Sequence, residues 1–163
     1  MNDASARTLR LAPALSADRW FNTPRPLTAA DLDGKVVLLY AFQMLCPLCV
    51  HEATPLVNRV HRLTRDRPGI EVVGLHTVFE NHEAMGPQAL AGYLGSAGVR
   101  FPVGVDRHEP GHDAPVTMRR LQLIGTPSFV PVDRQGVVRD RIFGVLSEQA
   151  LISRLERMQA EAG

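Results

Sequence analysis

The sequence predicts an α/β fold, with a central mixed β-sheet flanked by helices and an N-terminal extension, and three patterns carry that expectation. Val36-Val37-Leu38-Leu39-Tyr40-Ala41-Phe42 is a nearly unbroken apolar run, which suits a strand covered on both faces. From that run to residue 105, strand-like and helix-like segments alternate, so parallel pairing through right-handed crossovers is expected. Towards the C-terminus two apolar stretches flank Asp133-Arg134-Gln135-Gly136, a spacing that makes a β-hairpin and adds antiparallel strands to the sheet.

Residues 1–26 hold Pro13, Pro24 and Pro26 and keep no period of 3.6 or 2, so they read as an extended lead-in, pinned to the core by Trp20 and Phe21. Residues 27–163 make up the domain proper. Residues 28–32 suggest a helical turn, and Asp33-Gly34-Lys35 feeds the first core strand. Beyond it Val50, Leu56, Val57, Val60 and Leu63 recur at helical spacing until Arg67-Pro68-Gly69 stops the element. Residues 70–75 read as a second core strand. Residues 83–97 have a weaker helical pattern, with Asn81 as cap and Gly98 as stop. Residues 101–105 form a short strand that Pro102 confines to a sheet edge or a strand start. A loop over 106–115, a helix over 116–123 and hairpin arms at 128–132 and 137–143 follow. Ser147 then caps a last helix with the apolar stripe Leu151, Ile152, Leu155 and Met158.

At 163 residues, 45% hydrophobic and 21% charged, the chain is long enough to bury one ordinary core. A net charge of +1 with interspersed signs gives no reason to expect nucleic acid or a membrane surface as partner. The N-terminus shows no signal-peptide core, so a cytoplasmic location is expected, or a periplasmic one if a leader has been removed. A monomer or weak dimer is expected. In a reducing compartment a lone C-x-x-C is more often catalytic or metal-binding than structural.

That motif, Cys46-Pro47-Leu48-Cys49, holds the only cysteines and lies between the first core strand and its helix. Unpaired backbone N–H groups and the helix dipole favour negative charge there, so Cys46 reads as the attacking thiolate. Cys49, one turn on, can close a disulfide with Cys46 and release what Cys46 has captured. Pro47 suits a first helical turn, because its missing N–H would have had no intrahelical partner. The bland alternative, two inert buried thiols, is disfavoured by the strand-end position. Zinc needs about four ligands, and His51 alone does not complete a set with one C-x-x-C. No metal and no cofactor beyond the Cys46–Cys49 pair is therefore expected. Glu52 is a candidate proton acceptor during resolution, or else an ordinary first-turn carboxylate. His76, Glu80 and His82 follow the second strand; a transition-metal site is one reading of them, and a polar loop capped by Asn81 is preferred.

These residues resemble the thioredoxin-like superfamily, specifically its TlpA/redoxin branch of thiol-disulfide oxidoreductases, which overlaps with the alkyl hydroperoxide reductase and thiol-specific antioxidant group. The likeness rests on residues 32–39, on Cys46-Pro47-Leu48-Cys49, on Glu52, on Gly125-Thr126-Pro127 and on residues 132–136. It implies a thioredoxin-like fold and dithiol/disulfide exchange with a client protein or small thiol, supported by a reductant system. It also implies a cis Pro127 against the cysteine pair, with Thr126 offering backbone hydrogen bonds to the client and with Leu45 and Pro47 beside it. Two departures stand out: Leu45 replaces a common Trp, and the helix proline, Pro55, comes one place later than in the branch. Peroxiredoxins of the same fold need Thr or Ser three residues before the first cysteine and an Arg at the later strand. Here Gln43 and Ser128 stand instead; Arg119 or Arg120 could reach in from the preceding helix and allow slow peroxide reduction, which is the lesser expectation. Copper-handling relatives use C-x-x-x-C, which this chain does not match, and a redox-inactive binding module would not need both cysteines with Thr126-Pro127.

Overall fold

The computed structural model describes residues 8–161, so the first seven residues of the expected extension and the last two of the chain lie outside the described residues. Six strands form one sheet: β1 (Ala17–Phe21), β2 (Val36–Phe42), β3 (Ile70–His76), β4 (Val103–Asp106), β5 (Ser128–Val132) and β6 (Ile142–Phe143), in the order β1-β4-β3-β2-β5-β6. The helices are α1 (Leu11–Ala14), α2 (Ala29–Leu32), α3 (Thr54–Thr64), α4 (Pro87–Ser96), α5 (Val116–Arg120) and α6 (Glu148–Ala160). β2 pairs parallel with β3, and β3 with β4, while β1, β5 and β6 join antiparallel.

All seven residues of β2 are buried. Side chains alternate between faces, so the apolar run splits into two sets. Val36, Leu38, Tyr40 and Phe42 pack against Leu56, Val57 and Val60 of α3 and Leu151, Leu155 and Met158 of α6. Val37, Leu39 and Ala41 pack against Leu11, Ala14, Met118 and Leu121 on the other side. Helices on both faces are why this strand could not alternate apolar with polar.

The antiparallel register of β2 with β5 sets Ala41 opposite Ser128. Residues that precede Ser128 thus meet residues that follow Ala41, so Thr126-Pro127 and the cysteine turn converge at one end of the sheet. The carboxyl end of β3 arrives there too, because Phe42 pairs with His76.

Several sequence expectations need correction. Leu11–Ala14 is a helical turn buried in the core, and Ala17–Phe21 is the edge strand of the sheet, so this stretch is more than a lead-in. A Cβ on Gly104 would come within 3.0 Å of the Ala17 Cβ and the Trp20 ring, so glycine is what lets β1 close over β4. With β1 outside it, β4 is an interior strand, and Pro102 precedes its first residue. The helix over 83–97 is broken into a 3₁₀ turn, His82–Met85, and α4. Pro87 lacks an N–H to continue a helix and holds Gly86 extended at ψ 173°, which restarts the helix at Pro87. Asn81 adopts a left-handed φ of 48° and makes no side-chain cap. The helix from residue 116 stops at Arg120, where Gln122 turns left-handed at φ 58°. The second hairpin arm keeps only Ile142–Phe143 as strand beyond a bridge from Val132 to Val138. Between them the Arg139 N–H still donates to the Pro131 carbonyl at 2.9 Å, while the Arg139 side chain pairs with Asp133 and Glu161, and Asp140 with Arg154.

Candidate active site

After β2 the chain folds back at once, with the Cys46 N–H donating to the Gln43 carbonyl at 3.1 Å. Helical structure begins at Pro47, and the Cys46 carbonyl accepts the Val50 N–H at 2.9 Å, so Cys46 occupies the N-cap position. Its sulfur also serves as a cap, accepting the Cys49 N–H at 3.4 Å. Both cysteines are thiols in this structure. Cys46 is half-buried, whereas Cys49 is fully buried and its thiol is pushed up to about 12, first by burial and then by its bond to Cys46. The Gln43 backbone and the Thr126 hydroxyl pull the same thiol back down.

The partner loop comes from far along the chain. The Thr126–Pro127 peptide is cis, and the Cys46 sulfur lies 3.7 Å from the Thr126 carbonyl. Ser128 Oγ donates to the Gly125 carbonyl at 2.7 Å, and the Gly144 N–H donates to the Pro127 carbonyl at 3.0 Å, which ties the loop to β6. A Cβ on Gly125 would fall 2.8 Å from the Phe143 ring, so any other residue would push that ring aside. Pro127 is buried and Thr126 half-buried beside the cysteines.

No family model matches the chain. The crystal structure of a thioredoxin-like superfamily protein superposes with a TM-score of 0.87 at 43% identity, covering 95% of this chain and 99% of its own. The chain belongs to the thioredoxin-like superfamily. A thiol-disulfide isomerase from Corynebacterium glutamicum matches this thioredoxin-like chain with a TM-score of 0.86 and 39% identity, over 93% of this chain and 98% of that one. NHL repeat-containing protein 2 of Gallus gallus is 29% identical over 150 residues, which is 90% of this chain and 19% of the relative's length.

On this thioredoxin-like frame the remaining candidates separate. Glu52 is exposed. It lies in a wide π turn over Cys49–Ala53, in which the Thr54 N–H reaches back to the Cys49 carbonyl. Widening the turn stacks Ala53 over Cys49, both fully buried, and swings the residue three beyond Cys49 aside. The same turn absorbs the displaced proline: Pro55 sits in the first turn of α3, where its missing N–H disrupts no regular bond.

His76, Glu80 and His82 are not brought together. His76 is buried with Nε2 accepting the Met44 N–H at 3.1 Å, and burial pushes its imidazole down to about 4, so it is neutral and braces the cysteine turn. Glu80 is exposed, and His82 bonds the Asp113 carbonyl at 3.2 Å beside the His108 ring. Among the described residues no group of three or more His, Cys, Asp or Glu side chains is arranged to hold a metal.

The sequence did not reveal the parts played by Gln43 and Tyr40. Gln43 is buried, and its amide links Thr126 Oγ1 to the Phe79 N–H, each at 3.2 Å. A lone polar residue closing an apolar strand was the available signal. Beneath the cysteines, the Tyr40 hydroxyl lies 2.8 Å from Thr54 Oγ1, which also accepts from the Tyr93 hydroxyl at 3.0 Å. Burial and the nearby Cys49 hold the Tyr40 phenol well above its ordinary range, so it stays protonated. Leu45 and Leu48 of the cysteine turn are exposed, as are Ile124, Phe143 and Val145, with Leu45 at 51% and Ile124 at 80%. Among the described residues no helix is long and apolar enough to cross a membrane.

Proposed function

We propose that this chain exchanges its dithiol for a disulfide on a client, with Cys46 as nucleophile and Cys49 as resolving thiol. The observation that carries the proposal is the asymmetry of the pair: Cys46 is reachable beside Thr126 and cis Pro127, while Cys49 is closed off behind it. In the reductive direction the Cys46 thiolate attacks one sulfur of the client disulfide, that S–S bond breaks, and the client's other sulfur leaves as thiolate. Cys49 then loses its proton and attacks the Cys46 sulfur, and the second client thiolate leaves. The client has gained two electrons, and the pair closes as the Cys46–Cys49 disulfide, which an external dithiol reopens; the reverse sequence oxidises a client dithiol.

Exposed Leu45 and Leu48 in the cysteine turn, Ile124 next to Gly125-Thr126 and Phe143 against Gly125 favour a polypeptide client over a small thiol, because exposed apolar groups gain by being covered. The Thr126 backbone supplies polar contacts for an extended segment, as the resemblance implies. Trapping tests the proposal: the Cys49→Ser variant holds its client as a mixed disulfide on Cys46, released by dithiothreitol. The Cys46→Ser variant loses turnover of a model protein disulfide; undiminished turnover in that variant would sink the assignment.

A further inference from the structure

Beyond the last β2–β5 pair, Ala41 with Ser128, two hydrogen bonds among the described residues cross from the cysteine turn to the cis-proline loop. In one the Cys46 thiol donates to the Thr126 carbonyl at 3.7 Å, and in the other Gln43 Nε2 donates to Thr126 Oγ1 at 3.2 Å. The first exists only while Cys46 keeps its proton. Once that sulfur is a thiolate, it and the carbonyl oxygen are both negative and push apart, so the Gln43 bond is the one left to hold the loop beside the nucleophile. We infer that Gln43 is a positioning residue for attack on the client: through the Thr126 hydroxyl it fixes the backbone on which an extended client segment lies, at the offset from Cys46 that brings the client sulfur into line.

This role rests on the dithiol-exchange reading with a polypeptide client. Gln43 can set the offset because it bonds both parties: its backbone carbonyl accepts the Cys46 N–H at 3.1 Å, and its side chain reaches Thr126. The other bonds of the loop, from Ser128 Oγ to the Gly125 carbonyl and from the Gly144 N–H to the Pro127 carbonyl, tie it to itself and to β6. They leave its distance from the cysteines open. The Gln43 amide also has a fixed direction. The Phe79 N–H can only donate, so it holds Gln43 Oε1 at 3.2 Å and leaves Nε2 for Thr126. At 1% exposure the amide is shut off from solvent, and turning it over would set two N–H donors face to face. Attack needs the reacting sulfurs aligned at near-contact distance, and a misplacement of about one ångström is enough to lose much of the rate. A small disulfide, which has no backbone to lie on Thr126, does not depend on that offset.

The test uses the full chain, reduced, with two substrates: insulin, whose disulfides sit in polypeptide, and 5,5′-dithiobis(2-nitrobenzoate), which has no peptide backbone. Gln43→Met keeps the length of the side chain without its bonds, and Thr126→Val keeps the shape and the backbone without the hydroxyl. In each, insulin reduction slows about tenfold while the first thionitrobenzoate release keeps its rate. The double variant is no slower than the slower single one, because both remove the same bond, and Thr126→Ser restores insulin reduction. Thr126 is half-buried, so Thr126→Val reads the bond even if a methionine in the buried place of Gln43 costs stability. Insulin reduction at the unaltered rate in Thr126→Val overturns the inference, as does a fall that thionitrobenzoate release shares, losses that multiply in the double variant, or failure of Thr126→Ser to restore the rate. Unaltered protein that attacks the small disulfide alone overturns the inference and leaves dithiol exchange standing. Unaltered protein that attacks neither overturns the exchange reading, and this inference with it.

Discussion

On one face of the sheet Val37, Leu39 and Ala41 of β2, Val73 and Leu75 of β3 and Val130 and Val132 of β5 meet Leu11, Met118 and Leu121, an aliphatic layer with no polar atom in its side chains. On the other face Tyr40 stacks between Phe42 and Phe129 at ring separations of 5.1 and 5.5 Å, Phe101 meets it edge-on, and His76 tilts against Phe42. Both layers are equally dry, yet only the aromatic one carries polar tips, and those tips lie below the cysteine turn. Aromatic residues allow this because a ring buries a large apolar area and still ends in a hydroxyl or ring nitrogen. One layer holds the sheet together; the other also supports the site.

Removing atoms from the aliphatic layer should therefore cost stability and spare the chemistry. Leu39→Ala is expected to lose about 2–5 kcal/mol in urea unfolding, while the folded fraction keeps its rate of disulfide exchange. A comparable loss of rate at full folding would erase the contrast between the faces.

The aromatic layer should answer to pH. His76 titrates at about 4 when folded, against about 6.5 when exposed, so the unfolded chain binds more protons between those values. Its contribution is complete above about pH 6.5 and is lost as pH falls towards 4, at a limiting slope of about 1.4 kcal/mol per pH unit. Urea midpoints taken from pH 7 to pH 4 should show this decline, and His76→Gln should flatten it; an unchanged slope would remove His76 as its source.

A smaller effect is expected for Tyr40→Phe, which keeps the ring stack and deletes the hydroxyl. Thr54 retains its bond from Tyr93, so the loss should be about 1 kcal/mol, read from the same unfolding curves. A cost near that of Leu39→Ala would mean that the hydroxyl carries far more than one hydrogen bond.

Much of this was legible in the chain. The run from Val36 to Phe42 announced a strand buried on both sides, and Ser147 announced the cap of α6, whose side chain does accept the Ala150 N–H at 3.1 Å. Signals of this kind are local: periodicity and capping depend on residues within a turn or two. The edge strand Ala17–Phe21 was missed because a short strand covered on one face shows too little alternation, and only β4 makes it a strand. The break at Pro87 was legible, but the apolar spacing around it outweighed the proline.

By itself the sequence determined the order of the five later strands, the single dithiol and the Thr126-Pro127 step, because each is written in consecutive residues. Tertiary structure alone decided which sulfur is reachable, that Glu52 faces solvent, and that Gln43 joins Thr126 to Phe79. Those outcomes depend on the register of β2 against β5 and on a π turn that rotates one residue inward and its neighbour outward. The register is a long-range packing choice that no stretch of neighbouring residues encodes, whereas the π turn is closed by a local bond from the Thr54 N–H to the Cys49 carbonyl.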